Sequence, residues 1–291
     1  MTEEVRQALR ICPPGLRQAI DRLPDAGAME ELRLRCGQPP ACRIAGKERA
    51  LPLAPVTPEL LRGILEQATQ RSAYAMQEMT RCGFVTLPGG HRLGICGTAV
   101  VQNGTITALR EPSSLNLRIA RQPDGIADRL RDALWARPQS VLLCGAPGSG
   151  KTTLLRDLIR QLSDRFGWRI CVVDERLELA ACASGVPQFR LGAHTDVLSG
   201  APKAAGIELL LRTMNPEWIA VDEITAEADL RAAMQAAGCG VGLLATIHAA
   251  DAAELTQRPL YRQLLQDGFF RMAAFLLPDR SVRIERGLDH A

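Results

Sequence analysis

The sequence lacks a long apolar run, a close pair of cysteines and a large share of aromatic residues. Its longest apolar stretch, FFRMAAFLL from Phe269, contains Arg271 and is shorter than the roughly 20 residues that a membrane-spanning helix needs. None of the nine cysteines forms a C-x-x-C pair, so a zinc site is not expected. Cys144 and Cys171 lie in apolar strand patterns, where cysteine packs as a small hydrophobic residue. Free buried thiols of this kind are typical of a reducing compartment.

The chain also lacks a strong charge of either sign. Its 35 Lys and Arg residues and 32 Asp and Glu residues are interspersed, and the formal net charge is +3. With only three Trp and two Tyr residues, this balance argues against a nucleic-acid-binding surface, on which aromatic side chains stack with bases and basic side chains neutralise phosphates. The first residues, MTEEVRQALRICPPG, do not have the basic and then apolar layout of a secretion signal. We therefore expect a cytoplasmic protein that has no transmembrane segment and binds no nucleic acid.

From Val141 the sequence reads VLLCGAPGSGKTTLLRDLIRQL, in which a short apolar run leads into a glycine-rich turn and an amphipathic segment. The turn has the pattern G-x-x-x-x-G-K-T, which is typical of a phosphate-binding loop between a strand and a helix. In such a loop the backbone N–H groups surround phosphate oxygens, the lysine reaches the β- and γ-phosphates, and the threonine hydroxyl ligates Mg²⁺. We therefore predict that ATP and Mg²⁺ bind here. The residues predicted to contact them are Gly145, Ala146, Pro147, Gly148, Ser149, Gly150, Lys151, Thr152 and Thr153.

Two further predicted strands end in acidic residues. EWIAVDEIT delivers Asp222 and Glu223 at its carboxyl end. We predict that Asp222 holds the Mg²⁺ ion together with Thr152, and that Glu223 activates the attacking water, which favours hydrolysis. RICVVDER places Glu175 at the same edge of the sheet. Glu175 is a candidate for sharing the metal or orienting the water, and a salt-bridged strand end is an equal alternative.

Two other clusters are also candidates for the site. VGLLATIHA ends at Thr246 and His248, and its strand is expected to lie beside the phosphate-loop strand. His248 could sense the γ-phosphate, although a lone histidine is often a hydrogen-bonded core residue. Arg110 and Arg118 lie in LREPSSLNLRIAR and could supply a neutralising arginine to the nucleotide. The alternative for these arginines is a solvated basic strand face.

The patterning changes character near residue 122. Residues 1–122 contain short apolar and polar alternations that Pro and Gly interrupt, which predict antiparallel strands and hairpins with a tight turn at Asn103-Gly104. TPELLRGILEQAT from Thr57 has the signals of a capped helix. These features predict an α+β domain. Residues 126–291 alternate between strand and helix patterns, which predicts an α/β domain with a parallel sheet and helices on both faces. A long loop is expected between the strand from Arg169 to Asp174 and the helix from Ala201. Ligands of such domains lie beyond the carboxyl ends of the strands, where the acidic and polar clusters above are expected.

Together these motifs resemble the secretion-superfamily ATPases, the ring-forming motors of type II and type IV secretion and of pilus retraction. That family carries a phosphate loop, an acidic box on the next strand, a second acidic strand end and a T-x-H box, in the order found here. The segments GAPGSGKTTLLRD, VVDER, HTDVLSGAPKA and REPSSLNLRIAR are similar to one branch, the stage III sporulation protein AA family of endospore-forming bacteria.

The resemblance implies a RecA-like/AAA+ P-loop NTPase core over residues 126–291, preceded by a smaller α+β N-terminal domain over residues 1–122. It also implies a homo-oligomeric ring, such as a hexamer, that hydrolyses ATP at the cytoplasmic face of a channel complex during endospore formation. Membrane proteins of that complex would be its partners. A nucleotide-gated scaffold with little turnover is the alternative, because nucleotide binding and slow hydrolysis use the same residues.

Overall fold

The computed structural model describes residues 1–70, 83–257, 261–262, 265 and 268–287. The pattern of contacts within the chain divides it into two compact units. The first unit comprises Met1–Arg121 and Cys182–Gln188, and the second comprises Gln122–Ala181 and Phe189–Ala291. None of the described helices is both long and apolar enough to cross a membrane.

The first unit combines helices with an antiparallel sheet. Its helices and strands are α1 (Glu3–Ala8), α2 (Pro14–Asp21), β1 (Met29–Arg35), β2 (Ala41–Ile44), β3 (Lys47–Ala50), α3 (Pro58–Thr69), β4 (Phe84–Thr86), β5 (Arg92–Gln102) and β6 (Thr105–Arg118). Within the described part of the chain, these strands form a six-stranded sheet in the order β3-β2-β1-β6-β5-β4. Every neighbouring pair is antiparallel, as the alternating pattern predicted.

Two local sequence signals in this unit have the expected structures. The Thr57 hydroxyl accepts a hydrogen bond from the Leu60 N–H group at 3.2 Å and so caps α3, in which Pro58 is the first helical residue. Asn103 and Gly104 join β5 to β6 with φ values of 51° and 76°. Positive φ at both central residues is the signature of a type I′ hairpin turn. The predictions of a capped helix and of a tight turn are therefore confirmed.

The second unit has the strand and helix alternation that the sequence predicted. Its helices and strands are α4 (Asp128–Ala136), β7 (Ser140–Cys144), α5 (Lys151–Phe166), β8 (Ile170–Asp174), β9 (Thr195–Ser199), α6 (Lys203–Thr213), β10 (Trp218–Val221), α7 (Glu227–Gly238), β11 (Gly242–Ile247), α8 (Ala252–Gln257), β12 (Phe270–Leu276) and β13 (Val282–Arg286). Over the described residues, the sheet order is β13-β12-β7-β11-β10-β8-β9. All neighbouring strands are parallel except β13, which runs antiparallel to β12.

The central strands of this sheet are buried on both faces. Every residue of β7, β8 and β10 is buried, as expected for short, continuous apolar runs in a parallel sheet between helices. The run from Phe269, the longest apolar stretch of the sequence, forms β12 beside β7. Strand β9 differs from the sequence expectation of a long loop. It lies at the edge of the sheet and is only partly buried, so its sequence does not form an apolar run.

Candidate functional site

The phosphate-loop sequence joins β7 to α5 in the second unit. Helix α5 begins at Lys151, directly after the glycine-rich turn. Gly150 has a φ of +105°, a conformation that residues with a Cβ atom rarely adopt. A Cβ atom on Gly145 would lie 2.8 Å from the Ser149 Oγ atom and 3.3 Å from the Leu276 Cβ atom, so the Ser149 side chain would have to move to make room for it. The positive end of the 16-residue helix α5 therefore follows a tight turn, and it favours negatively charged groups.

The ammonium group of Lys151 lies against this turn. Its Nζ atom donates hydrogen bonds to the carbonyl oxygens of Gly145 and Ala146, both at 2.9 Å, and lies 3.0 Å from the His248 Nδ1 atom. Burial lowers the pKa of Lys151, and the negative charges of Asp222 and Glu223 oppose that shift. The positive charge is thus held inside the loop region instead of extending into solvent.

The carboxyl ends of β10 and β11 meet the first turn of α5. The Thr152 hydroxyl donates to Asp222 Oδ2 at 2.9 Å, and the Thr246 hydroxyl donates to Asp222 Oδ1 at 2.6 Å. Thr246 Oγ1 also accepts a hydrogen bond from the Glu223 N–H group at 2.8 Å. Thr246 is fully buried. A single buried hydroxyl therefore connects the two adjacent acidic residues and fixes the carboxylate that faces Thr152.

The carboxylate of Glu223 has a partner at each oxygen. His248 Nε2 lies 2.9 Å from Glu223 Oε1, and Arg176 Nη1 lies 2.6 Å from Glu223 Oε2. Because Lys151 can only donate, the 3.0 Å contact makes His248 Nδ1 an acceptor, so Nε2 carries the proton that points at Glu223. Glu223 itself has a φ of 50°, in the left-handed region that non-glycine residues rarely occupy. Lys151, His248, Glu223 and Arg176 thus form one continuous chain of polar contacts.

The arrangement has the features that a magnesium nucleotide needs. The Ser149 Oγ atom is buried and has no hydrogen-bond partner in the described part of the chain, so it is available to a group held by the loop. Thr152 and Asp222 offer hard oxygen ligands at one point. No cluster of three or more His, Cys, Asp or Glu side chains that could hold a metal occurs among the described residues. Mg²⁺ nevertheless needs only one or two protein ligands when nucleotide phosphates complete its shell, so the residues present fit the group.

The chain matches a known protein family over almost its whole length. The model of the family described as "Sporulation stage III, protein AA" matches residues 2–283. The chain belongs to this family. Stage III sporulation protein AA of Bacillus subtilis is 34% identical over 273 residues, which cover 91% of this chain and 89% of that protein.

Solved structures of secretion ATPases have the same fold as this family member. The pilus retraction motor PilT with bound ADP superimposes with a TM-score of 0.64 at 19% identity, over 93% of this chain and 80% of PilT. The ATPase DotB of Legionella pneumophila gives a TM-score of 0.59 at 18% identity, over 93% and 79% of the two chains. At such low identity the likeness concerns the fold alone. It confirms the α/β class, with a RecA-like core that an N-terminal domain precedes, and the resemblance to secretion ATPases.

Glu175, the third acidic candidate, has a different partner in this member of the family. Its carboxylate accepts a hydrogen bond from Lys203 Nζ of α6, and Lys203 also lies 4.0 Å from Asp229. The neighbouring Asp174 is buried and accepts three backbone N–H groups, those of residues 178, 179 and 180, at 2.8 to 3.1 Å. Burial raises the pKa of Asp174, and these three hydrogen bonds oppose the rise. A role of Glu175 at the metal or the water stays a prediction.

The two candidate arginines lie on β6 of the first unit. Arg118 is exposed and has its Nε atom 3.9 Å from Glu31. Arg110 is also exposed and is the register partner of Thr98 on β5. The exposure of both side chains agrees with the alternative interpretation from the sequence, a solvated basic face of the strand. Contact of either arginine with a nucleotide stays a prediction.

Sequence reasoning missed two basic residues that fix the loop after β8. Arg156 on α5 is buried and donates to the carbonyl oxygens of Leu179 at 2.8 Å and Glu178 at 2.6 Å. Its guanidinium group also lies 3.9 Å from the centre of the Phe189 ring. Lys203 on α6 is the other missed residue. No local pattern marks either of them, because each side chain acts on a segment that is distant in sequence.

Proposed function

We propose that this protein binds and hydrolyses ATP with Mg²⁺. The observation that carries the proposal is a pair of contact chains, Lys151 to His248 to Glu223 and Thr152 to Asp222. The Thr246 hydroxyl joins the two. Two residues from the phosphate loop and three from the ends of neighbouring strands converge at one edge of the sheet. Such convergence is required of a P-loop NTPase and would serve no purpose in a glycine-rich turn that matched by chance.

The binding part of the site would use the loop and its lysine. The backbone N–H groups of residues 145–153 would surround the phosphates, and Lys151 would move its ammonium group from the loop carbonyls to the β- and γ-phosphate oxygens. Thr152 and Asp222 would hold Mg²⁺, directly or through its water shell. When bound, the metal would neutralise charge that develops on the phosphate oxygens.

The hydrolytic part of the site would use Glu223. Its carboxylate would take a proton from a water molecule whose oxygen forms a bond to the γ-phosphorus. The bond between that phosphorus and the bridging oxygen would break, and its electron pair would leave with ADP. His248 touches both Lys151 and Glu223, so it could report the presence of the γ-phosphate from one to the other. We also propose Arg110 or Arg118 as the neutralising arginine, and Glu175 as a further group at the metal or water.

The cellular part of the proposal rests on the relatives. The related proteins include a sporulation protein, a pilus retraction motor and the ATPase DotB. We propose that this chain acts as a homo-oligomeric ring at the cytoplasmic face of a membrane channel complex during endospore formation, with membrane proteins of that complex as partners. Native mass measurement with and without a non-hydrolysable ATP analogue tests the ring. A monomer under both conditions would contradict it.

Two substitutions test the catalytic proposal. Glu223→Gln should retain ATP binding in calorimetry and lose most steady-state turnover, because an amide cannot take the water's proton. Glu227→Gln is the matched control, since Glu227 is an exposed residue on α7 that pairs with Arg231. Lys151→Ala should bind ATP at least tenfold more weakly. Turnover of Glu223→Gln at the parental rate would refute the assignment of the base, whereas tight binding by a parent with no turnover would favour the scaffold alternative.

A further inference from the structure

Residues 175–180, which follow β8, are held in place by contacts that do not involve the phosphate loop, residues 145–150. Asp174 accepts hydrogen bonds from the three N–H groups of residues 178–180. Arg156 donates to the carbonyl oxygens of residues 178 and 179. Glu175 is paired with the buried Lys203 of α6. Arg176 lies between these attachments, so the backbone from which its side chain extends has little freedom.

Arg176 reaches from this fixed segment to the proposed base. Its Nη1 atom lies 2.6 Å from Glu223 Oε2, while His248 occupies the other oxygen of the same carboxylate. The backbone of Glu223 is in the left-handed region, where a non-glycine residue persists only if its surroundings hold it. Main chain and side chain of Glu223 are therefore both constrained. A carboxylate held at both oxygens has one orientation instead of several rotamers.

We infer that Arg176 is a positioning residue for hydrolysis, which acts by fixing the carboxylate of Glu223. The inference rests on the proposed function, because it assumes that Glu223 takes the proton from water. A planar guanidinium group suits this role, since its N–H donors have fixed directions and lysine would supply only a point charge. Catalytic groups lose much of their effect when their orientation relaxes by as little as about 1 Å.

A contribution to folding does not account for the contact. The Arg176 side chain is 60% exposed, and exposed ion pairs add little to the stability of a folded protein. The anchors of the segment are instead the buried groups of Asp174, Arg156 and Lys203. Replacing Arg176 should therefore leave the fold intact and change what Glu223 can do.

The test compares Arg176→Gln and Arg176→Lys with the parent and with Arg231→Gln. Arg231 is a matched control because it is 64% exposed and pairs with Glu227 on the same unit. We expect Arg176→Gln to lower kcat by roughly tenfold to a hundredfold, with KM for ATP and the melting temperature nearly unchanged. The kcat of Arg176→Lys should lie between that of Arg176→Gln and that of the parent. In the Glu223→Gln background, Arg176→Gln should cause no further loss, because a residue that acts only through Glu223 has nothing left to orient.

The other outcomes overturn the inference and identify which step fails, except a loss of stability, for which a second variant decides. A kcat of Arg176→Gln at or above the parental value would show that the contact restrains the base, while the proposed function would stand. A raised KM at constant kcat would show that Arg176 binds the nucleotide directly. If Arg176→Gln melts well below the parent, Arg176→Lys becomes the deciding variant and must show the same split between kcat and KM. A parent without turnover, or a Glu223→Gln variant with parental turnover, would remove the proposed function and this inference with it.

Discussion

Replacing Thr246 by valine should destabilise the second unit and disorder both acidic residues at once. Valine has nearly the same shape and keeps the packing of the fully buried position, so only the hydroxyl is lost. That hydroxyl donates to Asp222 Oδ1 at 2.6 Å and accepts from the Glu223 N–H group at 2.8 Å. A polar group that loses its partner in the interior costs about 1–3 kcal/mol, and a bond to a charged group lies at the upper end of that range. The two losses together should lower the free energy of unfolding by roughly 2–4 kcal/mol.

Tryptophan fluorescence suits this measurement because Trp135, Trp168 and Trp218 are the three tryptophans of the chain and all lie in the second unit. Urea unfolding of Thr246→Val should therefore report on the sheet that carries the site. Thr246→Ser is the control, since serine keeps the hydroxyl and should retain most of the stability. Turnover should fall in the valine variant and remain in the serine variant. A valine variant within about 0.5 kcal/mol of the parent would show that the Thr246 hydroxyl makes no hydrogen bond of this strength, because ordinary surface substitutions already cause changes of that size.

Two further changes test other parts of the structure. Gly145→Ala should weaken ATP binding severalfold in calorimetry, because the new Cβ atom would lie 2.8 Å from Ser149 Oγ and 3.3 Å from Leu276 Cβ and would force the Ser149 hydroxyl out of its position in the loop. An unchanged affinity would contradict the loop geometry. His91 is fully buried, and burial lowers its pKa from 6.5 to about 4. As the pH falls, His91 binds a proton in the unfolded chain at a higher pH than in the folded chain, so protonation favours unfolding. The contribution of neutral His91 to the free energy of unfolding is complete above pH 6.5 and falls by about 3 kcal/mol as the pH approaches 4. His91→Asn keeps an acceptor for the Ala120 N–H group, which His91 Nδ1 now serves at 3.0 Å. Urea unfolding of His91→Asn, followed by circular dichroism, should show a free energy of unfolding without this loss between pH 6.5 and 4. If the free energies of variant and parent fall in parallel with pH, His91 is not the cause.

Local patterns were sufficient to predict most of the second unit. The strand and helix alternation predicted β7, α5, β8, β10 and β11 because each apolar run is short, continuous and bounded by turn residues. The prediction that the T-x-H strand lies beside the phosphate-loop strand is confirmed, since β11 pairs with β7 in parallel. The edge strand β9 was missed because half-buried residues produce neither an apolar run nor a clean alternation.

The residues of the site were easier to predict from the sequence than the contacts among them. The sequence singled out His248 as a γ-phosphate sensor but gave no role to the Thr246 hydroxyl, which links Asp222 to the backbone of Glu223. Spacing along one strand cannot show which neighbouring strand a side chain faces. Glu175 illustrates the same limit. Its strand β8 lies three positions from β7 in the sheet, about 14 Å at the usual strand spacing, and its carboxylate meets Lys203 of α6.

The strand order explains why the T-x-H segment connects the two halves of the site. Strand β11 lies between β7, which leads into the phosphate loop, and β10, which carries the acidic pair. Asp222 accepts a hydrogen bond from Thr152 at the start of α5. Glu223 contacts His248, which in turn contacts Lys151 of the phosphate loop. Thr246 lies in β11 and His248 directly follows its last residue, so the two are two positions apart and an extended backbone there directs both side chains to the same side. One of them can then fix the acidic residues while the other contacts Lys151. A one-residue shift of β11 against β10 would turn both side chains away from these partners, so the register Val221 to Ala245 is as necessary to the site as the acids themselves.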